Sequence, residues 1–314
     1  MAIYILMLRL ELGGYSNGIL ASADCKVYAI DRDETVTQFC DDLNTKYPDK
    51  IKLFIEKFSN IKSVSSNNDI EGVDGVVFDI GVSSMQIDNG DRGFSFLHDG
   101  PLDMSMDNSS HINASTFVNA LREEEIANTI YNYGGERHSR KIARAIVNAR
   151  KKKLIKTTFE LAEIIRSVVF RGKSKIDPAT RTFQAIRIWV NDELGELEKG
   201  IKAASEILNE NGKLIVVTFH SLEDRIVKTF FRDLCEPGSI RHVVEPPVIP
   251  VRDTGIQKKM WIPASRAGMT PDRANAKCKK FSLLNKKVIK VSEEEVNANP
   301  RSRSAKLRAI ERVS

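Results

Sequence analysis

The stretch Val76–Asp103, VVFDIGVSSMQIDNGDRGFSFLHDGPLD, begins as a buried strand and passes at once into a polar, Gly-rich loop crowded with carboxylates. Gly75 to Phe78 are apolar enough for the centre of a parallel sheet, and Asp79 stands where that strand must leave the core. In open α/β sheets, ligands bind outside such strand ends. The plainer reading is that Asp79, Asp88, Asp91, Asp99 and Asp103 only solubilise a loop.

Working outward from this strand, Val27–Asp31 reads as a short buried strand, Thr35–Lys46 as a helix and Ile51–Lys57 as another strand. The order strand, helix, strand, followed by the strand ending in Asp79, is that of a parallel sheet wrapped by helices. Beyond Ser115 the periodicity becomes helical over Thr116–Tyr131, Ser139–Arg150, Thr158–Phe170 and Ala179 to about Leu208. The sheet resumes at Lys213–Phe219 after the turn Asn211-Gly212, and a helix follows over Ser221–Leu234, with Ser221 and Asp224 as its expected cap. The predicted fold class is therefore α/β with an inserted all-helical subdomain. The expected divisions are 1–102, 103–180 and 181–314.

A chain of 314 residues that is 41% hydrophobic can bury a sizeable core. No apolar run reaches the roughly 18 residues of a membrane span, and the N-terminal AIYILML does not resemble a secretory signal. Cys25, Cys40, Cys235 and Cys278 are scattered without a CxxC pair, so neither a metal site nor a disulfide framework is expected, and a reducing cytoplasm fits best. The net charge of +6 is unevenly placed, with basic clusters over Arg137–Lys153 and Lys277–Arg312. Such clusters suit a phosphate backbone, although solvated helix faces would look the same.

Gly13-Gly14-Tyr15-Ser16 precedes the strand ending in Asp31 at the distance of a nucleotide-type cofactor loop. There glycine admits the ligand close to the backbone and the acid accepts both ribose hydroxyls. GGYSNG is not GxGxxG, so the signal gains weight only because Asp31 and Asp79 end two candidate strands along one rim. In PATRTFQAIRIWVN, Pro178–Asn191, Arg181 and Arg187 would either hold phosphate or pair with carboxylates. His220, just past the strand ending in Phe219, is a further candidate, although a lone histidine is more often structural.

Together, DIGVSSMQID, RGFSFLHDGPLDM, PATRTFQAIRIWVNDEL, FHSLEDRIVK and NPRSRSAKLR resemble the bacterial RsmH (MraW) family over nearly the whole chain from Gly13. The resemblance implies a Rossmann-like methyltransferase sheet with a helical insertion. It also implies transfer of a methyl group from S-adenosyl-L-methionine to N4 of a cytidine in the decoding centre of 16S rRNA, on the assembled small ribosomal subunit. It places Gly13, Gly14 and Tyr15 in the cofactor loop, Asp31 on the ribose, Phe58 beside the adenine, and Asp79 and Gln86 on the cofactor side after the fourth strand. Met85 replaces a usual proline. The amino-hydrogen acceptor is Asp79, Asp103 or a backbone carbonyl, with Phe94 or Phe96 available for stacking. A homodimer is a further expected partnership.

The chain departs from the family at ILMLRLELGGYS, where a first strand reading roughly (I/L)DATFGAGGxS is usual. Back-translated and read one base out of frame, that family stretch gives Leu-Met-Leu-Arg-Leu-Glu-Leu, which is Leu6–Leu12 here. The segment is therefore expected to be a frameshifted first strand, with the family's earlier N-terminal segment missing and Glu11 and Leu12 disturbing the cofactor loop. This sets a second reading beside the enzyme: an RNA-binding remnant that has lost its cofactor. A nicotinamide-dependent oxidoreductase and a small-molecule methyltransferase are weaker alternatives, opposed by DIGVSS with FHSLEDR and by the basic clusters respectively.

Overall fold

The computed structural model describes residues 3–9, 14–107, 112–170, 176–236 and 280–314. Two compact units emerge: described residues up to Gly81 and from Leu194 onward form one, and Val82–Glu193 the other.

The first unit is built on a sheet. Its first strands and helices follow as β1 (Ile3–Leu8), α1 (Gly14–Ser22), β2 (Cys25–Asp31), α2 (Thr37–Lys46), β3 (Ile51–Ile55), α3 (Ile61–Asn67) and β4 (Val73–Asp79). β1 pairs in parallel with both β2 and β4, and β2 pairs with β3 in the same sense. β1 is thus central, and its residues Leu6, Met7 and Leu8 are buried. At about 1.5–3 kcal/mol for each buried side chain of this size, hydrophobicity and length suffice to seat this segment in the sheet. The altered N-terminal sequence therefore still supplies the strand that the fold requires.

The second unit, between β4 and β5 in the chain, is helical: α4 (Ser84–Asp88), α5 (Ala114–Ala120), α6 (Glu123–Gly134), α7 (Ser139–Arg150), α8 (Thr158–Val168) and α9 (Ala179–Asn191). The single helix expected over Thr116–Tyr131 is two. Leu121 and Arg122 are extended, and Arg122 with Glu125 forms the capping box that starts α6. Likewise the long helix expected from Ala179 is broken at Asp192, whose φ of 48° is left-handed, before α10 (Glu193–Ile207) begins. Gly134 shows why α6 and α9 come so close: a Cβ there would lie 2.4 Å from the Arg181 carbonyl oxygen.

α8 opens with a Thr157–Glu160 capping box. The Glu160 carboxylate accepts from Lys153 Nζ at 2.9 Å and from the Lys156 amide at 2.7 Å, and these bonds lower its pKa to about 2. Because the folded value lies below the ordinary one, the contribution to stability is complete above about pH 4.5 and is lost as pH falls through about 2. A carboxyl NMR titration of Glu160 is expected to show its midpoint near 2, with the α8 amides gaining exchange in step. A midpoint near 4.5 would show that the box does not hold.

The chain returns to the first unit with β5 (Leu208–Thr218), α11 (Ser221–Cys235), β6 (Phe281–Leu283), β7 (Ile289–Lys290), α12 (Glu293–Ala298) and β8 (Lys306–Arg312). The expected Asn211-Gly212 turn is a kink inside β5, with Asn211 at φ 63°, rather than a turn before it. The sheet order is β3-β2-β1-β4-β5-β8-β6, with β7 also on β8. β4 and β5 are parallel, whereas β8 runs antiparallel to β5, β6 and β7. The core lies along both faces, where Val27, Ile30, Val76, Phe78, Leu214 and Val216 are buried. No helix among the described residues is long and apolar enough to cross a membrane.

Candidate active site

Because β1, β2, β3, β4 and β5 are parallel, their carboxyl ends share one edge of the sheet. From β1 the chain winds outward through β2 and β3, while β4 and β5 lie on the other side, so the direction of winding reverses between β1 and β4. Such a reversal leaves a crevice beyond the strand ends. Asp31 ends β2 with 6% exposure and Asp79 ends β4 with 4%. Asp31 Oδ1 accepts from the Asp33 amide at 3.0 Å, which orients its carboxylate. Beyond β3, the Phe58 ring meets Phe78 edge-on at 5.8 Å. A Cβ on Gly200 would come within 3.0 Å of both phenylalanines, so α10 passes close beneath them.

After Asp79 the backbone turns through Gly81 at φ 120°, a conformation open to glycine, with a virtual Cβ 3.4 Å from Phe219. This explains the glycine of Asp79-Ile80-Gly81. Arg9 follows β1 at the same edge. It is 6% exposed with φ 74°, donates its amide to the Ile30 carbonyl at 2.9 Å, and brings Nη1 to 3.5 Å from the Asp79 carbonyl oxygen. A charged residue in left-handed backbone at the end of a central strand is a strained arrangement.

Gly14 and Tyr15 begin α1, both on its exposed side. Gly13, Glu11 and Leu12 lie outside the described residues. Sequence reasoning did not single out Ser16. It is 1% exposed in the first turn of α1, and its Oγ has no hydrogen-bond partner among the described residues. A buried hydroxyl without a partner costs about 1–3 kcal/mol, so a ligand group at this helix start would relieve it. The sequence signal was its place at the end of the turn Gly13-Gly14-Tyr15-Ser16, two residues after the double glycine.

His220 caps α11. Its Nδ1 accepts from the Glu223 amide at 3.4 Å, its Nε2 lies 3.0 Å from Glu223 Oε1, and the Glu223 carboxylate accepts from the His220 amide at 3.1 Å. This replaces the Ser221–Asp224 cap expected from sequence. Asp224 instead meets Arg308 Nε at 2.8 Å and Lys306 Nζ at 3.4 Å; burial opposes its charge, but the two cations outweigh this and lower its pKa.

In the helical unit, Gln86 and Ser83 form the capping box of α4, with the Gln86 side-chain oxygen accepting from the Ser83 amide at 3.0 Å. Asp103 Oδ1 accepts from Ser105 Oγ at 2.6 Å and from its amide at 3.2 Å. Phe96 packs edge-on against Phe183 at 4.8 Å, and the Phe94 ring lies under the Arg92 guanidinium. Of the loop carboxylates, Asp99 fits the plainer reading: it accepts from the Phe159 amide at the start of α8, and this bond lowers its pKa. Arg187 resolves toward carboxylate pairing, holding Glu193 through Nε at 2.8 Å and Nη2 at 2.9 Å. In the basic cluster, Arg150 closes the end of α5 through the Val118 and Leu121 carbonyls, whereas Arg140 and Lys141 stand exposed on α7.

With this geometry in place, comparison with known proteins is decisive. The MraW methylase family model matches residues 3–313. The chain belongs to the MraW methylase family. Among relatives of this methylase, the ribosomal RNA small subunit methyltransferase H of Wolbachia sp. subsp. Drosophila simulans (strain wRi) is 76% identical over 302 residues, covering 96% of this chain and 90% of that protein. The protein of the same name from Ehrlichia ruminantium (strain Gardel) is 55% identical over 300 residues, covering 95% and 89%. A solved putative methyltransferase from Streptococcus mutans, in complex with SAH, is 9% identical, with 99% of this chain and 88% of that one covered and a TM-score of 0.40.

Proposed function

We propose that this methylase transfers a methyl group from S-adenosylmethionine to N4 of a cytidine in the decoding centre of 16S rRNA, within the small ribosomal subunit. The observation that supports this most is the pair of buried carboxylates, Asp31 and Asp79, ending the strands on either side of β1 where the winding reverses. Asp31 is the acceptor for the ribose hydroxyls, Phe58 the apolar neighbour of the adenine, and Ser16 with the start of α1 the polar end of the cofactor site. The unpartnered Ser16 hydroxyl is the feature that fits such a ligand.

S-adenosylmethionine brings a methyl group on a sulfonium, already a good leaving group, so the protein's task is alignment in a dry crevice. The harder partner is the nucleophile. The N4 lone pair of cytosine is delocalised into the ring, and an acceptor bonded to one amino hydrogen draws it toward the methyl. The candidate acceptors are Asp79, at the end of β4, Asp103 and a backbone carbonyl. The target base must leave its stack, which suits a single-stranded or distorted segment gripped by exposed basic residues such as Arg140 and Lys141.

A second reading, an RNA-binding remnant that no longer takes the cofactor, is favoured by Arg9, a buried cation in strained backbone beside Asp79. Calorimetry with S-adenosylmethionine separates the two readings, using this chain, its Asp31→Ala variant and a version with residues 6–12 restored to the family's strand and loop. Binding by the parent, weakened about 10- to 100-fold in Asp31→Ala through loss of charged hydrogen bonds, supports the enzyme. Binding by the restored chain alone supports the remnant.

A further inference from the structure

A cavity of about 590 Å³ opens beside the carboxyl end of β5, enclosed by residues of the sheet unit. Its lining includes the apolar side chains of Phe219, Val291 and Val296 and the cations Lys290, Arg303 and Lys306, with one carboxylate, Glu293. Lys290 and Arg303 are exposed and make no ion pair among the described residues, whereas Lys306 shares Asp224 with Arg308. An apolar, part-aromatic lining that also carries cations matches one nucleotide of a flexible strand: the base against the apolar side chains, its phosphate on the cations. Asn297, on the same cavity, offers an amide to a base edge. The arrangement also gives NPRSRSAKLR a role, because its Arg303 and Lys306 face this space.

We propose that this cavity is an anchoring subsite for one nucleotide of single-stranded RNA, with Lys290, Arg303 and Lys306 as its phosphate contacts. The inference rests on the RNA-methyltransferase reading above and adds a second holding point on the sheet unit. Anchoring here fixes the strand, so that extrusion of the target base does not release the RNA.

The test is fluorescence anisotropy of a labelled single-stranded cytidine hexamer on the full chain, with S-adenosylmethionine calorimetry run beside it. Lys290→Glu/Arg303→Glu is expected to weaken RNA binding at least tenfold. It should also reduce the slope of log K against log salt by up to about 0.7, the share of the one single-strand phosphate held here. Asn297→Trp, on an exposed helix position that lines the cavity, takes up part of its space without changing charge and is expected to weaken binding while cofactor binding stays at the parent's level. Loss in the charge variant with full binding by Asn297→Trp would overturn the subsite and leave a general basic surface. A parent chain that binds cofactor but no RNA would overturn the RNA reading itself, and the subsite with it.

Discussion

Asp79→Asn is expected to lower methyl transfer at saturating cofactor by about 10²–10⁴-fold, the range for removal of a positioned proton acceptor. The substitution preserves shape at a position that is 4% exposed, so it tests charge and acceptor strength rather than packing. The carboxylate ends a strand whose neighbours β1 and β5 are both parallel to it, which fixes the backbone on either side. Gly81 then turns the chain away at φ 120°, leaving the acid as the last group of the strand. An amide in its place presents one weaker acceptor and a donor, and the donor repels the amino hydrogen it should hold. Single-turnover transfer of a labelled methyl group, with cofactor affinity measured separately, distinguishes the roles. If cofactor affinity falls while the rate from the bound complex is unchanged, Asp79 serves the cofactor and the acceptor role passes to Asp103 or a backbone carbonyl.

That Asp79 stands at a rim was legible from the sequence, because an apolar run ending in an acid and a glycine has few other readings. The parallel strands around it were legible for the same reason, each being short, apolar and followed by a helical period. β1 was harder. Compared with the family, Ile3–Leu8 is a departure, yet the sheet selects only for apolar residues of strand length, and LML meets that need as well as the usual segment. The breaks at Leu121 and Asp192 were missed because helical periodicity carries across a short interruption, and the signals lay in capping residues: Arg122 with Glu125, and an aspartate able to adopt left-handed backbone. His220 illustrates a tertiary choice that propensity hides. Both Ser221–Asp224 and His220–Glu223 have the spacing of a cap, but Arg308 and Lys306 on β8 claim Asp224 and leave the cap to His220. Gln86, which the resemblance puts on the cofactor side, also closes a capping box with Ser83, and the spacing Ser83-Ser84-Met85-Gln86 is the sequence signature of that box.

Asn191→Ala is expected to cost the helical unit about 2–6 kcal/mol, from two buried backbone groups that lose their Asn191 partner at about 1–3 kcal/mol each. Asn191 closes α9 and ties it to the loop that carries Asp103. Its Oδ1 accepts from the Met106 amide at 2.9 Å, and its Nδ2 donates to the Met104 carbonyl at 2.8 Å and to the Arg187 carbonyl at 2.9 Å. Met104 is fully buried with φ 60°, an unfavourable backbone state that persists where its surroundings hold it on both sides. Arg92 adds a bond from Nη2 to the Ser105 carbonyl at 3.0 Å, so Met104, Ser105 and Met106 are each fixed through the main chain. Alanine removes the central clamp and lets Met104 relax, which frees the Asp103–Ser105 turn. Amide exchange reads this locally: protection at Met106 should fall by about 30- to 20,000-fold, the same free energy expressed at 1.4 kcal/mol per decade, while amides in β4 and β5 keep theirs. Unchanged protection at Met106 would mean that the loop is held by its own packing and that Asn191 is dispensable to it. Because Asp103 is one of the proposed acceptors, the same variant measured for methyl transfer also shows whether an ordered Asp103 loop is needed for the chemistry or only for the fold.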